Sequence, residues 1–295
     1  MKRIIFRGAG VAIVTPFDES GINFDELGRL IDYQIENSTD AIIITGTTGE
    51  SATMTDDEHK AAIKFAVEHV NKRVPVVAGA GSNDTSYAIQ LSQYAEKIGA
   101  DALLLVTPYY NKCTQNGLVA HYKKIADNVD LPIILFNVPS RTGVNIKPET
   151  YQKLSEHPRI VAVKEANGDL SSIVRTKKLC GDELEIYSGN DDQIVPILSL
   201  GGKGVISVLS NVAPRDTHLI CQLYFEGKVE AAAKLQIDYS DLVDALFCEV
   251  NPIPVKAALK LLGWNVGNLR MPLSEIEPKN FEKVRAALIA HGLLS

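Results

Sequence analysis

Eight short apolar runs, each separated from the next by a turn and an amphipathic stretch, constrain this chain more than any other feature of its sequence. They are Gly8–Phe17, Ala41–Gly46, Val74–Gly81, Ala100–Pro108, Leu131–Val138, Ile160–Asn167, Glu185–Asn190 and Gly204–Asn211. Their starts recur about every 20–33 residues, the length of a β-turn-α unit. Several are apolar throughout, as strands covered on both faces must be. The stretches between them carry helix signals. Asn23 precedes Phe24, Leu27, Leu30 and Ile31 at helical spacing, and Thr55 with Glu58 forms a capping box. Asn83, Pro148 and Pro214 stand where N-cap or first-turn residues belong, and Gly99 stops the helix before it.

Strands alternating with helices in this number fit a closed barrel or a large doubly wound sheet. The absence of any split in composition favours the barrel, an α/β (β/α)₈ fold. After Phe225 the strand signal ceases, and Lys228–Cys248, Pro252–Gly263 and Pro278–Leu294 read as helices. The expected organisation is therefore a barrel over residues 1–226 and a helical region over residues 227–295.

The formal charge of −6 argues against nucleic acid or an anionic membrane as partner. No apolar run approaches the roughly 18–20 residues of a membrane span. The four cysteines lie far apart in no metal-ligand spacing, and Met1 to Arg7 is too short for a secretory h-region. A cytoplasmic protein with reduced thiols is expected, with no metal and no cofactor. Gly8-Ala9-Gly10 and Gly79-Ala80-Gly81 lack the third glycine of a dinucleotide fingerprint. His59, His69 and His121 fall on helices and are expected at the surface or as caps.

In such barrels chemistry sits at the C-terminal ends of the strands. There the sequence places Gly46-Thr47-Thr48-Gly49-Glu50, Tyr109-Tyr110, Pro139-Ser140-Arg141, Lys164, Gly189 and Ile206. Lys164 follows Ile160-Val161-Ala162-Val163, and an amine in an apolar strand is costly unless neutral or paired. Desolvation frees it to attack a ketone. The other reading is a rim lysine whose stem is buried and whose amine reaches water. Gly46–Gly49 offers amides and hydroxyls that can cup a carboxylate, or is an ordinary β-to-α turn. Arg141 can hold a carboxylate bidentately, or is a plain surface arginine. The tyrosine pair suits proton relay or, equally, packing at an interface.

Taken together, Gly46-Thr-Thr-Gly-Glu, Thr107-Pro-Tyr-Tyr-Asn, Asn137-Val-Pro-Ser-Arg-Thr-Gly and Val163-Lys-Glu-Ala resemble the dihydrodipicolinate synthase family. Ser188-Gly-Asn-Asp, Gly204-Val-Ile-Ser-Val and Asn251-Pro-Ile-Pro-Val-Lys extend the likeness, in order, from about Gly8 to the C-terminus. That family belongs to the pyruvate-dependent class I aldolases, with N-acetylneuraminate lyase. The resemblance implies that Lys164 forms a Schiff base with pyruvate, that Thr47 and Thr48 bind its carboxylate, and that Thr47 joins a proton relay. It implies that Tyr110 enters a neighbouring subunit's site, in a homo-oligomer that is a dimer of dimers. Arg141 would position L-aspartate 4-semialdehyde, and Gly189 and Ile206 would line the pyruvate pocket. The product would be 4-hydroxytetrahydrodipicolinate, at the entry to lysine and diaminopimelate biosynthesis.

Two departures qualify this. Where the family carries a proton-shuttling tyrosine, this chain has Phe136, which packs as well and has no proton to give. Loss of a positioned acid–base group costs about 10²–10⁴ in rate, so weakened turnover is expected. A lysine-binding allosteric site is matched by Ser51, Ala52, His59, Asn83 and Tyr109, but Asp56 and Tyr87 replace the His and Glu of sensitive relatives, so weak or absent inhibition is expected. The competing readings are another pyruvate-dependent aldolase or lyase, and a non-catalytic pyruvate-binding paralogue.

Overall fold

The computed structural model describes Lys2 and residues 4–294. Met1, Arg3 and Ser295, part of the expected short amino-terminal stretch and the outermost ends of the two expected segments, lie outside the described residues. Each apolar run contains one barrel strand: β1 (Gly8–Ala12), β2 (Ala41–Ile44), β3 (Val76–Gly79), β4 (Ala102–Val106), β5 (Ile133–Asn137), β6 (Ile160–Glu165), β7 (Glu185–Ser188) and β8 (Gly204–Ser207). All pair in parallel, and β1 pairs with both β2 and β8, which closes the barrel. The strands are shorter than the runs because the run ends become the loops of the barrel mouth.

Side chains alternate across the closed sheet. Ile43, Val77, Leu104, Phe136, Tyr187 and Ile206 pack inside it. Ile42, Ile44, Leu103, Leu105, Val163 and Ile186 face the surrounding helices. Parallel register sets Phe136 beside Lys164 and Asn137 beside Glu165, so Phe136 and Lys164 share the inner face. At the base, Phe6 stacks on Tyr187 at 4.4 Å, and the Tyr187 hydroxyl donates to the Phe6 carbonyl at 2.6 Å.

The helix signals are met closely. Asn23 caps helix Phe24–Glu36, and the Thr55–Glu58 capping box opens helix Asp56–Val70. Pro148 and Pro214 occupy first helical positions, and Gly99, at φ 89°, follows helix Thr85–Lys97. Asn83 is not the cap of that helix. Asp84 accepts from the amides of Ser86 and Tyr87, while the Asn83 side chain donates to the Tyr109 carbonyl. Two adjacent residues are competent caps, and the loop contact selects between them. His59 and His121 are buried, contrary to the surface positions expected from their helices. His59 Nε2 lies 2.8 Å from the Gly79 carbonyl and His121 Nδ1 lies 2.9 Å from the Thr85 hydroxyl, partners that a helical wheel does not reveal.

The C-terminal region holds helices Val229–Asp238, Ser240–Leu246, Ile253–Leu261 and Pro278–Ala290. The expected single helix Lys228–Cys248 is divided at Tyr239, whose ring stacks on His291 at 4.4 Å. Helix Ile253–Leu261 reaches back to the mouth. Its Lys256 Nζ donates to Glu50 Oε1 at 2.7 Å, with both side chains 1% exposed. Glu50 Oε2 accepts from the Arg270 amide at 3.0 Å, and the Arg270 guanidinium grips both oxygens of Glu58. That guanidinium holds the Glu58 carboxyl down at about 2. Burial lowers the Lys256 amine, and the Glu50 charge opposes the shift.

Breaking such a pair costs more than forming it gains, because the survivor is left charged and dry. Lys256→Met is expected to lower unfolding free energy by about 3–5 kcal/mol in urea titrations. The Glu50→Gln/Lys256→Met double variant, which removes the stranded charge, recovers most of that loss; equal losses in single and double variants contradict the account.

Candidate active site

The turn after β2 is held by two non-glycine residues in the left-handed region, Thr45 at φ 55° and Glu50 at φ 57°. Such backbone costs on the order of 1–3 kcal/mol per residue and persists only where its surroundings enforce it. Here Thr45 Oγ1 donates to the Gly79 carbonyl at 3.1 Å, and Glu50 is clamped by Lys256. A Cβ on Gly79 would fall 2.4 Å from the Thr45 carbonyl oxygen, so the end of β3 has room only for glycine. The turn closes on itself through Gly49 N–H to Gly46 O and Glu50 N–H to Thr47 O, each 3.1 Å.

Asn251, far along the chain, ties the turn to the arginine loop. Its side-chain amide donates to Thr48 Oγ1 at 3.0 Å, and its carbonyl accepts from Arg141 Nη2 at 2.9 Å. Thr48 accepts in this contact, so its own hydroxyl proton stays available to a ligand. Two of the expected binding groups are thereby linked through a residue of the C-terminal region.

Lys164 is buried at 7% exposure, which rejects the rim reading of this residue. Burial is the largest cause of a pKa lowered to about 8; the Asp191 charge opposes the shift, and the Arg141 charge adds to it. Lys164 Nζ lies 4.4 Å from the centre of the Phe136 ring. The next residue, Glu165, points outward, where Tyr151 Oη donates at 2.7 Å and Asn137 Nδ2 at 2.9 Å, and burial raises its carboxyl to about 7.

Two adjoining cavities open at the mouth. The larger, about 390 Å³, is walled by Thr47, Ser51, Tyr109, Val138 and Arg141. A smaller recess of about 50 Å³ runs inward against the Phe136 ring and shares Thr47, Ser51, Gly81 and Val106 with it. The larger cavity is also walled by Ala52, His59 and Tyr87, while Asn83 touches Tyr109 behind it. Lys164, Gly189 and Ile206 line neither cavity. Ile206 packs in the barrel interior with Phe136, and the Gly189 amide donates to the Glu165 carbonyl at 2.7 Å. Tyr110 is 92% exposed with φ 66°, turned away from its own barrel.

Two participants escaped the sequence reading. Asp191 is buried near Lys164, and its Oδ2 accepts from the amides of Val208 and Leu209 at 3.0 Å. Its Oδ1 finds no protein partner among the described residues. Asn251 is the other. Both lie in the motifs Ser188-Gly-Asn-Asp and Asn251-Pro-Ile-Pro, but no local pattern tells which other chain segment they meet.

The family model of the dihydrodipicolinate synthetase family matches residues 5–291. The 4-hydroxy-tetrahydrodipicolinate synthase of Acetivibrio thermocellus is 53% identical over 294 residues, covering all of both chains. The crystal structure of dihydrodipicolinate synthase from Thermotoga maritima matches with a TM-score of 0.96 and 45% identity, covering 99% of this chain and all of that one. The enzyme from Acinetobacter baumannii, solved in complex with pyruvate, matches with a TM-score of 0.96 and 41% identity over 99% of this chain and all of that one. This chain, with its parallel barrel and its lysine sunk into the mouth, belongs to the dihydrodipicolinate synthetase family.

Proposed function

We propose that this chain is a 4-hydroxy-tetrahydrodipicolinate synthase, condensing pyruvate with L-aspartate 4-semialdehyde. The observation that carries the reading is the desolvated Lys164 amine, with its pKa near 8, in a barrel whose relatives bear that activity in their names. About a tenth of such an amine is uncharged at pH 7, against roughly one part in a few thousand for an ordinary lysine. Its lone pair attacks C2 of pyruvate to form a carbinolamine, which loses water to give an imine. The imine sheds a methyl proton to become an enamine, and this carbon nucleophile attacks the aldehyde of the second substrate. The substrate's amino group then closes the ring and displaces Lys164.

Thr47 and Thr48 take the pyruvate carboxylate through their hydroxyls and the turn amides. Arg141, held by the Asn251 carbonyl, meets the carboxylate of the semialdehyde across the larger cavity. That preference for an anion favours the synthase over a lyase acting on a polyol chain. Gly189 and Ile206 shape the floor on which pyruvate rests. Tyr110, projecting away from its own barrel, serves the site of a neighbouring subunit in a dimer of dimers. Residues 1–226 act as the barrel and 227–295 as its helical brace, in a cytoplasmic enzyme.

The wall formed by Ser51, Ala52, His59 and Tyr109, with Asn83 behind it, is the counterpart of a lysine-binding site that lacks the His and Glu of sensitive relatives. Tyr87 Oη donates to Asp56 Oδ1 at 3.0 Å, and Asp56 also accepts from Lys60 at 2.6 Å. The carboxylate that is present is spent on its own neighbours. Calorimetric titration with L-lysine is therefore expected to show no micromolar binding, and a micromolar affinity overturns this part of the reading.

The amine's protonation sets the pH dependence. Its folded pKa lies below the ordinary value, so the reactive uncharged fraction grows as pH rises toward about 8 and saturates above it. Initial rates of borohydride trapping with pyruvate are expected to climb about tenfold per pH unit below that point and level off beyond it. Lys164→Ala takes up no label; an adduct that persists in that variant refutes the assignment. Phe136→Tyr is expected to raise kcat at least about tenfold by restoring an acid–base group beside the amine. An unchanged kcat shows that a phenol is dispensable in this site.

A further inference from the structure

Arg141 sits in a single helical turn, Pro139–Thr142, which is too short to hold itself. Among the described residues, two side-chain hydrogen bonds tie residues 138–144 to other parts of the chain. One is the guanidinium's own bond to the Asn251 carbonyl, and the other runs from Thr107 Oγ1 to Thr142 Oγ1 at 3.0 Å. The first acts on the tip of a long side chain, the second on the backbone that carries it. Thr107, fully buried, directly follows β4, and its amide donates to the Phe136 carbonyl at 3.1 Å. Phe136 is in turn the register partner of Lys164. The hydroxyl pair therefore refers the arginine to the strands that hold the amine.

We propose that Thr142, through its hydroxyl bond to Thr107, is the residue that positions Arg141 for the carboxylate of the semialdehyde. The inference rests on the synthase reading and deepens it by naming what sets the preference for an anionic second substrate. Thr142 Oγ1 accepts from Thr107 Oγ1 at 3.0 Å and from the Val144 amide at 3.2 Å. Its one proton is shared between the Val138 and Val144 carbonyls, at 3.2 and 3.1 Å. A hydroxyl has one proton and two lone pairs, so nothing remains for a ligand. Thr142 lines the larger cavity and is buried, yet its polar capacity is spent on holding the loop. Removing the hydroxyl strands Thr107 and the Val144 amide in a dry place, and the turn shifts to satisfy them. A displacement of about 1 Å at Arg141 is enough to cost up to about 10²-fold in use of the semialdehyde, while Lys164 on its strand stays in place.

The test is a double-variant cycle of Thr142→Val and Arg141→Leu, with kcat/KM measured for each substrate in all four proteins. Because the adduct forms before the aldehyde reacts, kcat/KM for pyruvate reports the first half of the reaction alone. Thr142→Val is expected to lower kcat/KM for L-aspartate 4-semialdehyde about tenfold and to leave that for pyruvate within about twofold. Thr142→Ser, which keeps the hydroxyl, holds both values within about threefold of the unsubstituted protein. Thr107→Val removes the same bond from its other side and shifts the semialdehyde value in the same direction, a second variant should the first fold poorly. In the Arg141→Leu background Thr142→Val changes the semialdehyde value by less than about twofold, because no guanidinium is left to misplace. A tenfold loss that persists without the arginine, equal losses for both substrates, or no loss at all overturns the proposal. End-point borohydride labelling separates the two levels: no pyruvate adduct in the unsubstituted protein refutes the synthase reading itself, whereas a full adduct with any of those three outcomes refutes only the positioning role.

Discussion

A lysine amine is useful to carbonyl chemistry only when its proton is loosely held, and this barrel achieves that by withholding water. Lys164 projects into an interior packed with aliphatic and aromatic side chains, against the face of Phe136, and burial outweighs the opposing charge of Asp191. The balance is a delicate one. A nearer carboxylate would restore the ammonium, while a site without Asp191 would leave its charged form with little compensation. Asp191 is itself held by two backbone amides, which keeps the counter-charge at a set distance from the amine and not in contact with it.

The mouth depends on parts of the chain outside the barrel repeat. The strained turn of Thr45 to Glu50 is held from one side by the close approach of β3 and from the other by Lys256, while Asn251 joins Thr48 to Arg141. Thr48 and Arg141 are thereby positioned relative to one another through a single residue. Backbone strain fixed by a dry ion pair is a means of pre-organisation: groups so held lose little freedom when a ligand binds.

Much of the fold was legible because barrel strands, covered on both faces, are written as apolar runs that recur with the repeat. Lys164 was legible for the same reason, as a charged residue placed directly after the four apolar residues Ile160–Val163. Asn83 and the buried histidines were misjudged because a helical pattern reports which face a residue occupies and not which loop covers that face. Asp191 and Asn251 were invisible as participants because their partners lie 17 and 203 residues away along the chain. Tyr239 broke a helix whose own sequence carries no stop, through packing on the last helix.

Local chemistry in the sequence determined the repeat, the caps, the reactive amine and the missing phenol at 136, since each depends on residue type and near-neighbour spacing alone. Tertiary structure decided the protonation of that amine, the clamp on the substrate turn and the continuity between recess and open cavity. Those depend on desolvation and on distances between groups remote in the chain, quantities that exist only once the barrel has closed.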